Sequence, residues 1–320
     1  MRRLHALVEP ALATVNRRVL APVGLELGRG GLRRPRRWAI SIERVDHPLA
    51  LDAPASAPTL TAADVDDVPA AFVADPFLAH DGQTWHVLFE ILNRRRGKGE
   101  IGLATRAPDG HWAYRGVVLR RPAHLSYPFV FHAEGEWWLC PESGEAGGID
   151  LYVAEEFPTT WRWHTRLVEG PDLADPTLFF REGWWWLYAE SGRRPPWGHL
   201  RLFGAPALDG PWTEHPCSPL THGDPTHARP AGRPLEIDGR LIRLAQDCSR
   251  GATRTRVRGV EVTELDRDRY AEQLLAAPVL APDPASRWCA AGTHHLDARR
   301  DLEGGWLVAY DGCGGKGSTR

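Results

Sequence analysis

Apolar residues in this chain gather into short runs, and five of those runs close on a polar group five positions after their first member. The runs begin at Trp85, Trp137, Trp185, Leu241 and Trp306, and end at Glu90, Glu142, Glu190, Gln246 and Asp311. A glycine stands just before each: Gly82, Gly135, Gly183, Gly239 and Gly305. Further upstream, ten positions before the run in the first three copies and twelve in the last two, a polar or aromatic residue leads the copy: Asp75, Tyr127, Asp175, Arg229 and His294. Proline follows the first four leaders and His295 follows the fifth. Self-similarity at a period of about 50–65 residues is the mark of a stacked or radial array.

Within a repeat, leader and run read as two strands joined by the glycine turn, and a second strand pair follows. After Glu90, Lys98 to Thr105 alternates as a third strand, Pro108-Asp-Gly110 turns, and Trp112 to Leu119 supplies a fourth. Alternation broken by Gly, Pro and Asp, with no helical period after residue 50, predicts an all-β fold. Four strands in each of five repeats predict a five-bladed β-propeller. Only nine residues follow Asp311, so the fifth repeat needs outer strands from elsewhere; Arg37 to Val45 is the expected closing strand.

Ahead of that strand, Leu4, Leu7, Val8, Ala11, Leu12, Val15 and Val19 recur at helical spacing, and an arginine-rich stretch spans 29–37. The expected organisation is an amphipathic helix and basic linker over 1–36, then the propeller over 37–320. Such a helix either packs on the main domain or lies on an anionic membrane surface or a partner. A net charge of -2 argues against nucleic acid. Five widely spaced cysteines without a C-x-x-C pair support neither a disulfide framework nor a zinc ribbon, so reduced thiols and a cytoplasmic location are expected.

Leaders and run ends should converge on one face of the axis. Asp75, Tyr127, Asp175, Arg229 and His294 would form an inner ring, with Glu90, Glu142, Glu190, Gln246 or Asp247, and Asp311 beside it. A polar rim over a tryptophan-walled scaffold is the geometry of a ligand pocket. Asp-Pro also begins strands well, and terminal carboxylates cap turns, but turn chemistry gives no reason for Tyr, Arg and His in the same register. Trp85, Trp137, Trp185 and Trp306 occupy equivalent positions and should pack the blades, whereas Trp184, Trp186 and Trp197 are candidates for stacking on a sugar. No cofactor is expected. His294, with His295 and the acidic ring, is the one candidate metal ligand, calcium being the analogous structural ion.

Asp-Pro openings on the first and third repeats, and Leu202 to Trp212 closing the third, resemble the five-bladed propellers of glycoside hydrolase family 43 and its relatives. Closer is a resemblance to the propeller region in front of the catalytic domain of plant glucosamine inositolphosphorylceramide transferases. It is carried by Lys98-Gly-Glu-Ile-Gly-Leu-Ala-Thr105, Leu125-Ser-Tyr-Pro-Phe129, Pro141-Glu-Ser143, Asp175-Pro-Thr-Leu178, Arg229-Pro-Ala-Gly-Arg233 and Ala245-Gln-Asp-Cys-Ser249, within residues 70–312.

The hydrolase resemblance implies Asp75 as general base, Asp175 as the carboxylate that tunes the acid, and His294 near the channel centre. Inverting hydrolysis needs a protonated carboxyl roughly 6.5–9.5 Å from the base. In those hydrolases the acid leads the fourth blade, where this chain has Arg229, which stays charged. Either another carboxyl acts, with Glu142 and Glu190 the nearest by register, or the chemistry differs. Arg229 either pairs with Asp75 or Asp175, or binds an anion such as a sugar phosphate, uronic acid or glycolipid headgroup. The expected function is a carbohydrate-active enzyme working on a glycosidic or related bond, with Tyr127, Arg229, His294, Glu90, Trp186 and Asp247 binding substrate. A glycan- or glycolipid-recognition propeller without catalysis is the alternative.

Overall fold

The computed structural model describes residues 37–49, 51, 54–192, 198–251 and 255–314, with the backbone of 26–28 and 31–33. The expected helix over 4–20 and Trp197 lie outside the described residues. Within the stretch read as a basic linker, β1 (Glu26–Gly28) and β2 (Gly31–Arg33) form an antiparallel hairpin.

Five antiparallel sheets follow. After β3 (Trp38–Val45), the first blade comprises β4 (Ala70–His80), β5 (Trp85–Asn93), β6 (Lys98–Arg106) and β7 (Trp112–Leu119). The second comprises β8 (Ser126–Ala133), β9 (Glu136–Glu142), β10 (Gly148–Glu156) and β11 (Thr160–Glu169). The third comprises β12 (Leu173–Arg181), β13 (Trp184–Ser191), β14 (His199–Ala205) and the short β15 (Thr213–Glu214). In the fourth, the inner strand is split into β16 (Arg229–Pro230) and β17 (Leu235–Ile237). Both pieces pair with β18 (Arg240–Asp247), which is followed by β19 (Arg256–Leu265) and β20 (Tyr270–Leu280). The fifth holds β21 (Leu296–Arg300), β22 (Trp306–Cys313) and β3, whose eight residues pair along all of β22.

Burial falls from the axis outward. The inner strand β4 is buried along nearly its whole length, whereas the outer strand β7 is mostly half-exposed. Inner strands lie between two neighbouring blades, so both faces must be apolar; outer strands meet water on one side. Apolar clusters fill the seams. Phe77, Phe129, Trp138, Trp185 and Phe203 lie in the cluster joining the first three blades, and Trp186, Tyr188 and Ala228 join the third to the fourth. Leu244, Val279, Trp306 and Val308 join the fourth to the fifth, and Ile40, Leu307, Val87 and Phe89 join the fifth to the first. The ring of blades is therefore continuous. Trp85, Trp185 and Trp306 are buried, and Trp137 stacks on Phe157 at 4.0 Å between ring centroids.

The leaders of the first three blades share one backbone device. Ala74, Ser126 and Ala174 pair with the run ends Glu90, Glu142 and Glu190, and the next residue of each inner strand starts a bulge. That residue is Asp75, Tyr127 or Asp175, with φ of 52°, 46° and 52°. A bulge re-aims one side chain, here toward the axis. The following proline keeps the leader out of the right-handed helical region, and aspartate tolerates the left-handed one better than most side chains do. Tyr127 is too bulky to share that tolerance, and strain of this kind costs about 1–3 kcal/mol.

Candidate functional site

At the axial mouth each leader is held by its neighbour. The Asp311 carboxylate accepts the Asp75 N–H at 3.2 Å and the N–H groups of His294 and His295 at 3.0 and 3.1 Å. Asp75 in turn accepts the Tyr127 N–H at 3.2 Å. The Tyr127 hydroxyl meets Thr177 Oγ1 at 2.8 Å and accepts the Gly232 N–H at 2.8 Å. Fifth, first, second, third and fourth blades are thereby linked through their innermost polar groups.

Around the mouth the charges fall into two groups. In the first, His294 lies with Nδ1 2.7 Å from Asp311 and Nε2 3.4 Å from Asp75, its ring 4.1 Å from that of Trp38. Burial opposes its protonation, but the Asp311 and Asp75 carboxylates outweigh burial and push its pKa up to about 9. His294 is thus a cation at neutral pH, whereas burial keeps its neighbour His295 below the usual histidine range. Burial would also raise the Asp311 carboxyl, yet the His294 cation holds it low. Asp75 is raised by burial, with both histidines opposing. Glu90 is raised well above the usual carboxylate range by burial and by the Asp75 charge. Two neighbouring buried carboxyls that repel each other share protons as a pair.

The second group centres on Arg229. Its Nε sits 2.5 Å from Asp175 Oδ2 and its Nη2 3.3 Å from Asp175 Oδ1. Glu142 Oε2 is 3.6 Å from Nη2 and Glu190 Oε2 3.8 Å from Nε. Gln246 Nε2 donates to the same Asp175 carboxylate at 2.9 Å. Of the alternatives for Arg229, the structure contains the ion pair with Asp175. Three carboxylates already surround the guanidinium, so this corner of the ring does not offer a free cation to an anion. Burial raises the Glu190 carboxyl above its ordinary range, with the Arg229 charge opposing.

The surroundings of Tyr127, Trp186 and Asp247 differ from those expected. Tyr127 is fully buried with its hydroxyl shared between Thr177 and Gly232, and its ring lies edge-on to Phe77 and His295, so it is a strut between blades and not a ligand contact. Trp186 is 4% exposed in the seam with Tyr188, Leu200 and Leu202, its indole lying against Gly204. It presents no ring face to a sugar, because its place on β13 is four residues before Glu190, away from the mouth. Asp247 caps the following turn through the Ser249 N–H and hydroxyl and lies 3.5 Å from Arg256; Gln246, not Asp247, reaches the ring. The metal-ligand candidate His294 falls into a constellation with Asp75 and Asp311 whose donor atoms lie within 4.8 Å of one another. Two carboxylates and an imidazole suit a hard divalent cation, which would have to displace the proton that now makes His294 cationic.

Sequence reasoning passed over two participants. His124 accepts the Gly99 N–H on Nδ1 at 2.8 Å, which leaves its Nε2 to donate to Glu90 Oε1, 3.3 Å away. Arg233 spans Asp297 Oδ1 at 3.1 Å and the Val130 carbonyl at 2.8 Å, over the Phe129 ring, while Asp297 Oδ2 accepts the Leu78 N–H. Arg233 closes the Arg229-Pro-Ala-Gly-Arg233 stretch, but spacing gave it no partner; nothing marked His124.

Comparison with known proteins agrees with this geometry. Residues 40–313 match the family described as glucosamine inositolphosphorylceramide transferase 1, N-terminal. A protein of that name from Oryza sativa subsp. japonica is 33% identical over 266 residues, covering 81% of this chain and 36% of the rice protein. Its Arabidopsis thaliana counterpart is 30% identical over 267 residues, covering 81% and 35% respectively. The chain thus spans about a third of the length of these relatives. Among solved structures, the catalytic domain of a Coprinopsis cinerea GH62 α-L-arabinofuranosidase superposes with a TM-score of 0.58 at 14% identity, over 87% of this chain and 97% of that one. An exo-β-1,3-galactanase from Clostridium thermocellum gives 0.54 at 11% identity, over 68% and 52%. At these identities what is shared is the five-bladed fold. The match along residues 40–313 places the chain in the family of the N-terminal propeller region of glucosamine inositolphosphorylceramide transferases.

Proposed function

We propose that this protein is a carbohydrate-active enzyme acting on a glycosidic bond at the axial mouth, with Asp75 as base and Glu90 as acid. The observation that carries the reading is the pair itself: two interacting buried carboxyls beside His294 and His124, both raised by burial, Glu90 well above the ordinary carboxylate range. Carboxyls displaced from their ordinary range are what general acid–base catalysis requires. His294 would steady negative charge on Asp75, and His124 would orient the Glu90 carboxyl. Carboxyl groups outnumber the cations here, since Asp75, Glu90, Glu142, Asp175, Glu190 and Asp311 face Arg229 and His294. Such a mouth favours a neutral or amino-substituted sugar over an anionic one.

A panel of chromogenic aryl glycosides, neutral and amino-substituted, tests this. Release of the aryl group by the wild type should fall by a factor of about 10²–10⁴ in Asp75→Asn and in Glu90→Gln, with sugar affinity by calorimetry changed only a few-fold. One observation favours a second reading, a glycan-recognition propeller without turnover: the fourth-blade corner, where the resembling hydrolases carry their acid, is occupied by Arg229 locked onto Asp175. Sugar binding without turnover of any glycoside or activated donor would decide for recognition. Absence of both would end both readings.

A further inference from the structure

On the same face as the ring, between the fifth and first blades, lies a cavity of about 470 Å³. Its walls include Arg37, Arg94 and Arg287, the indoles of Trp38 and Trp288, and Thr61, with no carboxylate among the lining residues. Trp38 separates it from the ring: one residue both lines the cavity and packs its indole 4.1 Å from the His294 imidazole. Thr61 already donates its hydroxyl to Asp64 at 2.8 Å, and Trp288 its Nε1–H to the Ala55 carbonyl, so neither hydrogen bond awaits a ligand. The arginines differ. Among the described residues none of the three has an ion-pair partner, in a chain where Arg96, Arg120, Arg166, Arg229 and Arg243 all sit against carboxylates. Arg94 Nε is buried with no hydrogen-bond acceptor. A buried donor left without an acceptor is costly, and a ligand oxygen is the natural remedy.

We propose that this cavity binds a phosphoryl group, as a phosphomonoester or phosphodiester, whose polyol portion extends past Trp38 to the axial ring. Guanidinium forks match phosphate oxygens in pairs. Three guanidiniums lining one cavity with no acid among its lining residues form an anion site of the kind the carboxylate-rich ring cannot provide. The two indoles supply the apolar wall against which the carbon skeleton of a headgroup lies. Phosphate binding in the cavity stands on the arginines; the bridging to the ring rests on reading the ring as a sugar site.

Calorimetric titration of the full chain with inorganic phosphate tests the cavity alone. Wild type should bind, more weakly as salt rises, and Arg94→Gln/Arg287→Gln should bind at least about tenfold more weakly, a loss of about 1.4 kcal/mol. Arg287 is exposed, so Arg287→Gln alone serves as a folded check if the double variant melts early. A wild type that ignores phosphate, or arginine variants that bind it as well as wild type does, would overturn the inference. So would loss of phosphate binding in Asp75→Asn, which would place the anion in the ring. Retained phosphate binding in that variant, with loss of turnover on glycosides, keeps the two sites distinct. Phosphatidylcholine vesicles with and without phosphatidylinositol identify the source. Sedimentation of wild type, but not of the arginine variant, with the phosphatidylinositol vesicles assigns a lipid headgroup; free phosphate binding without sedimentation assigns a soluble phosphoester.

Discussion

Arg229→Met removes the one cation that three buried carboxylates share. Asp175 and Glu142 side chains are 2% exposed and Glu190 8%, so none can turn to water when the guanidinium goes. Gln246 continues to donate to Asp175, but an amide carries no net charge. Removing one partner of a buried ion pair costs about 3–5 kcal/mol. At about 2 °C per kcal/mol for a domain of this size, the melting temperature should fall by about 6–10 °C at pH 8. The defect has a direction in pH. Without the cation the carboxyl pKa values rise above their unfolded values, so the folded variant binds more protons than the unfolded chain and its stability decreases as pH rises. The deficit should therefore shrink on acidification toward pH 5. Asp175→Asn in the same background removes one orphaned charge and should recover about half of the loss. Differential scanning fluorimetry of wild type, single and double variants from pH 5 to 8 is the assay. A single variant that melts within about 2 °C of wild type at pH 8, or a deficit that does not change with pH, would refute the charge accounting of the ring.

Three further outcomes are expected. His294 is raised from 6.5 to about 9, so its contribution, about 3 kcal/mol, is fully present below about pH 6.5 and is lost as pH climbs to 9; His294→Gln should flatten the stability profile over that window in urea titrations. Tyr127→Phe leaves the buried Gly232 N–H without its acceptor and should cost about 1–3 kcal/mol, read as a lower urea midpoint with unchanged slope. Trp186→Ala should cost about 3–5 kcal/mol while sugar affinity per folded molecule stays as in wild type; a selective loss of affinity would return Trp186 to the ligand.

Much of the fold was legible because a propeller writes its period into the chain. The strand deficit after Asp311 pointed back to the segment that now forms β3, and run ends and leaders do meet at one mouth. Partner choice was not legible. Sequence spacing placed Arg229 near both Asp75 and Asp175, but only the packed backbone shows the fork turned onto Asp175. Spacing likewise treated Tyr127 as one more polar leader, although burial turns its hydroxyl into a fastening between blades. Glu90 and Glu142 end equivalent runs, yet one interacts with the Asp75 carboxyl and the other lies 3.6 Å from the Arg229 guanidinium, a difference of surroundings that spacing does not encode.

The left-handed bulges set which corners of the mouth can change chemistry. At positions 75 and 175 the backbone itself selects for Asp, Asn or Gly, so a new side chain there meets a conformational barrier before it meets a ligand. Arg229 and His294 carry no such backbone demand. Substitution around this ring is therefore channelled: a change at Asp75 or Asp175 is limited first by the backbone, whereas one at Arg229 or His294 is limited only by its surroundings. The irregularity of a few φ angles thus acts as a filter on which functions the scaffold can explore.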